Sequence, residues 1–535
     1  MNFPRHTRAL LALGSGVALA LSFPDYNLPL LAWLSVGMLI LASAGVRLAE
    51  APLYGFLHGL VFYPVCLPWI DTVMQQYGSV DPWSSAGIVG LIGLAGGIIW
   101  SSFSLAMALA SRRSPALACA LAPFLWVTLE FARTHLPYIG FPWNLTGYAA
   151  RGSLALLQVT PVTGIYGLSF LIAAYSSAIA YAILVHSRHA WTTALIITVA
   201  LILNAVGGGY LVPVAAPHHI AHLVQTNFPQ SEHYPPDWLS IHASELDQLE
   251  QISVDAAKKT PGLIVWPEVP APFSMQDPAF AQRAQRIALE AENYFLVGVV
   301  DWKRNAQGQW GASNSSTLLD PSGRRIFTYD KIHLVPFGEY VPLRQWIKFA
   351  GRLTADIADF TPGTEYRVSQ LPGGRFGTFI CYEAIFPDEI RRFARGGAEL
   401  LINVSNDGWF GRSAAPAQHL MMSRVRAVES RRWMLRDTNN GFTAVVDPYG
   451  RIVASLPPDI RGQLDAPYDF RSDLTPYARF GDWFAWLCLI VTVVLFVAAF
   501  VKSENGKMTL AERASGISAS SARFHFPFSF LHIPM

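Results

Sequence analysis

The stretch "RFGTFICYEAIFPDEIRRFARGG", residues 375–397, carries two patterns in succession. Its first part is a short apolar run that predicts a β-strand, and the charged segment from Pro387 predicts a helix with the proline in its first turn. Cys381 then lies at a strand-to-helix turn, where main-chain N–H groups can bind an anion. A thiol there acts as a nucleophile if a neighbour lowers its pKa or accepts its proton, and the alternative is a buried structural cysteine.

Further short apolar runs surround this stretch and predict an α/β domain over residues 216–480. They are bounded by Gly, Pro, Asn or Asp, as strands are: "AHLVQTN", "GLIVWPE", "YFLVGVV", "SSTLLD", "ELLINVS" and "TAVVDPYG". Segments 278–293 and 417–432 have helical patterns. Strands that alternate with helices are typical of layered α/β domains, and this segment is long enough for one such domain with a substantial core.

The composition indicates that the rest of the chain is embedded in a membrane. Of the 535 residues, 52% are hydrophobic and only 14% are charged, whereas soluble proteins carry roughly 25% charged residues. Most of the long uncharged stretches reach the length of a spanning helix, about 20 residues, and together they predict eight transmembrane helices. Seven lie in residues 1–215 and the eighth in 481–502, before a tail, 503–535. The net charge of +2 gives no support for a nucleic-acid partner.

The basic residues that flank the predicted helices indicate an orientation. They fall on one side of the membrane if the helices alternate in direction: Arg5, Arg8, Arg47, Arg112, Arg113, Arg188, Lys502 and Lys507. By the positive-inside rule that side is the cytoplasm, so both termini are cytoplasmic and residues 216–480 lie outside it. The first apolar run has a signal peptide as its alternative, but no convincing cleavage site precedes "SFPDYNLP", and we interpret the run as an uncleaved helix.

Two more polar residues follow predicted strands of the α/β domain. Glu268 lies among prolines in "IVWPEVPAP". A carboxylate in such an apolar setting tends to have a raised pKa, which suits a general base, and its alternative is a loop carboxylate paired with an arginine. Lys331 follows "YD" at the end of another strand; near a cysteine it favours the thiolate and stabilises an oxyanion, and elsewhere it is an ordinary surface lysine.

The order of these residues resembles a known family. Segment 216–480 is similar to the nitrilase, or carbon–nitrogen hydrolase, superfamily, which implies an αββα sandwich and a Glu–Lys–Cys triad of Glu268, Lys331 and Cys381. More narrowly, the chain resembles the apolipoprotein N-acyltransferase family of the bacterial inner membrane in "YDKIHLVPFGEYVPL", "CYEAIFP", "NVSNDGWFG" and, in the apolar part, "LEFARTHLPYIGFPWNLTGY". One departure is Ser313, where the family pattern leads us to expect an aromatic residue.

The resemblance implies an acyl transfer in two steps, carried out on the periplasmic side of the inner membrane. Cys381 takes an acyl chain from a phospholipid like phosphatidylethanolamine, and the amine of a diacylglyceryl apolipoprotein then takes it from the thioester. Glu268 is the base, and Lys331 with a main-chain N–H near Tyr382 holds the oxyanion. Further residues are expected to support the triad or touch the acyl chain: Glu339, Glu383, Trp409 and Phe410. No metal or nucleotide cofactor is implied, because the sequence has neither metal-ligand spacing nor a phosphate loop.

Three features of the membrane-associated parts leave alternatives open. Segment 343–358 has one apolar helical face, which predicts either a lid over the acyl chain at the bilayer surface or a helix packed on the domain core. Glu130 at the end of a predicted span is either a substrate-binding carboxylate or the ion-pair partner of Arg133, three residues on. The aromatic stretch 140–144 is expected to anchor a helix end at the membrane surface or to line a lipid entrance.

Two other functions are compatible with parts of the pattern. The first is a membrane-tethered amidase or nitrilase that uses the same triad to hydrolyse a small amide and passes the acyl group to water. The second is a non-catalytic membrane scaffold whose α/β domain only binds partners. The transmembrane helices count against the amidase, and the presence of Glu268, Lys331 and Cys381 together counts against the scaffold.

Overall fold

A computed structural model describes residues 3–136, 140–231, 234–304, 308, 310–341 and 360–498. The N-terminal part is helical: α1 (Arg5–Ala20), α2 (Ala32–Ser43), α3 (Ala51–Cys66), α4 (Trp69–Gln76), α5 (Pro82–Ser111), α6 (Pro115–Thr134), α7 (Leu154–Leu157), α8 (Thr160–Thr163), α9 (Ile165–Val185) and α10 (Arg188–Gly207). One more apolar helix, α17 (Trp483–Ala498), follows the α/β domain. We call α1–α10 and α17 the helical half.

The described residues assign four or five membrane spans, where the sequence predicts eight. Among the described residues, four helices are long and apolar enough to cross a bilayer, namely α5, α6, α9 and α10 with the turn that follows it. The bent pair of α3 and α4, which meet at 54°, adds a fifth if it counts as one span. Shorter apolar helices occupy Pro29–Ser43, Leu154–Thr163 and Trp483–Ala498. The count of eight therefore stays a prediction.

Small residues allow the central helices to approach closely. A Cβ at Gly59 of α3 would lie 2.5 Å from the main chain of Gly96 on α5, and one at Gly55 would lie 2.0 Å from the carbonyl oxygen of Trp100. Close backbone approach through small residues is a common way for helices to associate in a membrane, where burial of apolar surface gives little drive.

The α/β domain contains twelve strands among its described residues. The strands are β1 (His219–Gln225), β2 (Leu263–Val265), β3 (Phe295–Arg304), β4 (Trp310–Leu319), β5 (Arg325–Asp330), β6 (Val368–Leu371), β7 (Gly374–Ile380), β8 (Leu400–Ser405), β9 (Trp433–Thr438), β10 (Thr443–Val446), β11 (Ile452–Leu456) and β12 (Gly462–Tyr468). The helices are α11 (Trp238–Ile241), α12 (Ala243–Lys259), α13 (Pro278–Ala291), α14 (Pro387–Arg395), α15 (Ala415–Ser430) and α16 (Pro476–Phe480).

The strands form two six-stranded sheets that pack face to face. Their orders are β12-β1-β2-β3-β4-β5 and β11-β10-β9-β8-β7-β6. In each sheet three neighbouring strands are parallel, β1 to β3 and β7 to β9, and the remaining pairs are antiparallel. Buried side chains from both sheets share one core, for example Leu223 and Leu296 with Phe379 and Leu435.

Helices cover the outer faces of both sheets, which confirms the predicted αββα sandwich. Leu249 of α12 and Phe280 of α13 pack with the outer side of the first sheet, and Ile390 of α14 packs against the second. Helix α15 has two roles, because its Met422 and Val425 join the core of the helical half. This helix therefore connects the sandwich to the helical half.

Candidate active site

Cys381 lies at the end of β7, as the strand-to-helix pattern predicts. A short 3₁₀ turn, Cys381–Ile385, separates the strand from α14, and Cys381 itself has φ +46°. The residue is only 6% exposed. Burial raises the pKa of the Cys381 thiol, and the Glu268 carboxylate raises it further, while Lys331 opposes both. The thiol is therefore neutral at physiological pH and needs a neighbouring base to become a nucleophile.

Glu268 follows β2 and is almost completely buried. Its Oε1 accepts hydrogen bonds from Lys331 Nζ at 3.1 Å and from Asn314 Nδ2 at 2.7 Å. Its Oε2 accepts from the main-chain N–H of Asn406 at 2.8 Å. Three donors from three different segments therefore hold this carboxylate in place.

Lys331 follows β5 and its side chain is 1% exposed. Its Nζ lies 3.1 Å from Glu268 Oε1 and 3.0 Å from Glu339 Oε1. Burial alone would lower the pKa of Lys331, but the two carboxylates and Cys381 outweigh it and raise the pKa above the ordinary value. Lys331 is therefore a fixed positive charge beside the thiol, the arrangement that stabilises a developing oxyanion.

Asn314 on β4 connects the two carboxylates, and the sequence analysis missed it. Its Nδ2 donates to Glu268 Oε1 and to Glu339 Oε1, both at 2.7 Å. The neighbouring Ser313, the predicted departure from the family pattern, donates from Oγ to the carbonyl of Thr361 at 3.1 Å. An asparagine in a strand carries no signal of its own, since strand register decides which face it occupies.

Glu383 joins the turn at Cys381 to the loop that follows Lys331. Its Oε2 accepts from the N–H of Ile380, and its Oε1 accepts from the N–H of Ile332 and the hydroxyl of Tyr329, each at 2.7 Å. Burial raises the pKa of Glu383 to about 7, although these donors lower it. The carboxylate thus holds main-chain N–H groups and does not bond to Lys331 Nζ itself.

Comparisons with known proteins show which family the chain belongs to. Residues 15–178 match the family model "Apolipoprotein N-acyltransferase N-terminal domain", and residues 229–472 match "Carbon-nitrogen hydrolase". The apolipoprotein N-acyltransferase of Geobacter metallireducens is 35% identical over 502 residues, 92% of this chain and 95% of the relative. The chain belongs to the apolipoprotein N-acyltransferase family.

Two further comparisons are with a second relative and with a solved structure. The family member from Azotobacter vinelandii is 34% identical over 527 residues, which cover 95% of this chain and 96% of that protein. Among solved structures, an amidase from Nesterenkonia sp. is 21% identical and has a TM-score of 0.35, covering 48% of this chain and 93% of the amidase.

Trp409 and Phe410 lie where the sandwich of this family member meets its helical half. The Phe410 ring is 5.2 Å from that of Trp69, and the partly exposed Trp409 is 5.3 Å from Tyr77. Tyr382 packs its ring against Phe386, at 5.2 Å. Tyr382 and Phe386 belong to the buried core of the helical half, and Phe410 packs against that core, so the turn at Cys381 borders the apolar helices.

The loop 140–144 also lies where the sandwich meets the helical half, and Glu130 contacts the residues that follow it. Trp143 is 1% exposed, and its Nε1 donates to Gln418 Oε1 on α15 at 2.6 Å. Glu130 accepts from the N–H of Thr146 at 2.7 Å, and Arg133 donates to the carbonyl of Trp143 at 3.3 Å. Among the described residues Glu130 and Arg133 form no ion pair with each other, and each side chain instead bonds to the main chain of this loop.

A second buried cluster, also absent from the sequence analysis, lies behind Cys381. His419 of α15, Asp407 and Arg436 are all fully buried. Ligand atoms of Cys381, Asp407 and His419 lie within 4.8 Å of one another, a donor set that zinc uses. Both ring nitrogens of His419 and both oxygens of Asp407 already have partners within the protein, so these residues do not fit a metal ion.

A cavity of about 390 Å³ opens beside the site, between the two halves of the molecule. His135 and Tyr166 of the helical half line one side, and His333 and Tyr340 of the loop after Lys331 line another. Phe386, at the end of the Cys381 turn, completes it. Segment 343–358, with its predicted lid, and the tail 503–535 lie outside the described residues.

Proposed function

We propose that this chain transfers an acyl chain from a phospholipid to the α-amino group of an apolipoprotein's diacylglyceryl-cysteine, through a thioester on Cys381. The relatives named apolipoprotein N-acyltransferase supply the reaction class. The observation that carries the proposal is the buried ion pair of Glu268 and Lys331, 3.1 Å apart. Both charged groups are near enough to Cys381 to shift the pKa of its thiol. A base and a fixed cation beside one thiol are the groups that acyl transfer needs.

In the first step Glu268 accepts the proton of Cys381 and the sulfur attacks the ester carbonyl of the phospholipid. Negative charge develops on the carbonyl oxygen, where Lys331 and the N–H of Tyr382 stabilise it. The carbon–oxygen bond then breaks, and Glu268 returns the proton to the leaving alcohol, which departs as a lysophospholipid. The raised pKa of the buried thiol explains why a base is required.

In the second step the free amine of the apolipoprotein attacks the thioester. Glu268 accepts a proton from the attacking nitrogen, the carbon–sulfur bond breaks, and the proton goes to the departing sulfur. A thioester is reactive enough for an amine, so the covalent intermediate divides one difficult acyl transfer into two easier steps. Glu339 and Asn314 hold the side chains of Glu268 and Lys331 in position during both steps.

The helical half suits substrates that remain in a bilayer. Trp409 and Phe410 face its aromatic side chains, and we assign to them contact with the acyl chain. Residues 1–215 form the membrane domain, 216–480 the periplasmic catalytic domain and 481–502 the last span, with both termini in the cytoplasm. The asymmetry of flanking basic residues supports this orientation.

The test is a transfer assay with purified protein in detergent, phosphatidylethanolamine and a diacylglyceryl lipopeptide that has a free α-amine. We expect N-acylated lipopeptide and lysophospholipid in equal amounts, and neither product with Cys381→Ser. Equal activity of Cys381→Ser would refute the nucleophile assignment. Release of ammonia from a small amide, without lysophospholipid, would favour the tethered amidase instead.

A further inference from the structure

The carbonyl oxygen of Cys381 has one side-chain partner, the fully buried His419. His419 Nε2 lies 3.0 Å from that oxygen, and Nδ1 lies 3.0 Å from Asp407 Oδ1. Arg436 Nη2 donates to Asp407 Oδ2 at 2.7 Å, and Ser405 Oγ donates to Oδ1 at 2.9 Å. Arg436 Nη2 also lies 3.2 Å from Nδ1, so Nδ1 accepts from Arg436 when the ring is neutral and donates to Asp407 when the ring is charged. In both states the imidazole presents its other nitrogen to the main chain of Cys381.

The protonation of Nε2 follows from its partner. A carbonyl oxygen can only accept a hydrogen bond, so Nε2 carries the hydrogen in either charge state of the ring. This nitrogen has no lone pair for a metal ion or for the Cys381 proton. His419 consequently acts on Cys381 through the main chain and is not a second base.

The main chain of Cys381 needs such a partner. Its φ of +46° lies in the left-handed region, a strained conformation that a residue with a side chain keeps only where its surroundings enforce it. The residue begins the 3₁₀ turn Cys381–Ile385, whose first peptide determines where the sulfur points. Glu383 accepts a hydrogen bond from the N–H of Ile380, one residue before Cys381, and His419 holds the carbonyl of the peptide after Cys381.

We propose that His419 is a positioning residue, which fixes the Cys381 peptide through its carbonyl oxygen and so aims the thiol at Glu268 and Lys331. Asp407 and Arg436 orient the imidazole for this purpose. The inference rests on the proposed function, because aiming the sulfur matters only if the sulfur takes the acyl chain. Misplacement of a reacting group by about 1 Å can cost roughly 100-fold in rate.

Two substitutions separate positioning from general stability. In His419→Gln the amide nitrogen reaches the position of Nε2 and still donates to the Cys381 carbonyl. In His419→Asn the shorter amide reaches only the position of Nδ1, so it keeps Asp407 and loses the carbonyl. Met422→Leu, a buried change of similar volume on the same helix that removes no hydrogen bond, is the matched control.

The measurement is the single-turnover rate of thioester formation with phosphatidylethanolamine, followed by intact mass, with KM and thermal unfolding measured in parallel. We expect His419→Asn to lose about 100-fold in the acylation rate with unchanged KM. His419→Gln should stay within about tenfold of wild type, the cost of one altered neutral hydrogen bond. Met422→Leu should match wild type.

Several results would overturn the positioning role. Equal rates in the Asn and Gln variants would do so, as would a large loss in His419→Gln at unchanged thermal stability, even if His419→Asn failed to fold. Loss of wild-type acylation on chelation with recovery on adding zinc would instead make the cluster a metal site. If wild-type protein forms no thioester at all, the proposed function fails rather than the role of His419.

Discussion

At the scale of single residues, substitutions of Asn314 test whether its amide keeps the carboxylates of Glu268 and Glu339 apart. Its amide nitrogen separates the carboxylates of Glu268 and Glu339 at 2.7 Å from each. Asn314→Asp would place a third carboxylate between them and should abolish thioester formation. Asn314→Ala should remove two charge-assisted hydrogen bonds and cost about 1.5–3 kcal/mol of stability while leaving slow acylation. Acylation rates and thermal unfolding of both variants test this; equal activity in the Asp variant would contradict it.

The same scale shows what could be predicted from sequence. Glu268, Lys331 and Cys381 each follow a strand, and the ends of strands in adjacent sheets can be inferred from apolar runs and their boundaries. Asn314 and His419 lie inside a strand and a helix, where only register and helix rotation decide what they face. No local pattern reports those two quantities, so these residues were missed.

At the scale of elements, α15 joins the catalytic sandwich to the helical half through Gln418. Its Oε1 accepts from Trp143 Nε1, and its Nε2 donates to the carbonyls of Pro24 and Cys66 at 2.6 and 3.2 Å. Gln418→Leu would leave these buried groups without partners and should cost about 1–3 kcal/mol. We expect a lower Tm in detergent.

The control for this prediction is Gln282→Leu on the exposed face of α13, which should change the stability by less than about 0.5 kcal/mol. If Gln418→Leu also kept the wild-type Tm, the contact between α15 and the helical half would not contribute to stability as described.

The helices also show that one apolar run of the sequence can hold more than one helix. The run 51–70 predicts one span, and the structure divides this part of the chain into α3 and α4 at Leu67 and Pro68, with a bend of 54°. Proline disfavours continuation of the preceding helix, although its effect on a long apolar run is not visible in hydropathy. The run 152–186 likewise contains two short helices before α9.

At the scale of the whole molecule, the orientation in the membrane can be tested with introduced thiols. The four native cysteines are buried, so we expect them to react little with a maleimide. Lys259→Cys, on the exposed end of α12, should react with a membrane-impermeant maleimide in spheroplasts. Arg113→Cys, exposed between α5 and α6, should react only after lysis. The reverse pattern would put the catalytic domain in the cytoplasm.

The most direct measurement of the central claim needs no acceptor. Wild-type protein is incubated with phosphatidylethanolamine alone, and its intact mass and peptide map are then recorded. We expect a single acyl chain on Cys381, released by hydroxylamine as a thioester should be, with one lysophospholipid formed per protein. An unmodified Cys381 under these conditions, or an acyl chain that persists in Cys381→Ser, would contradict the account.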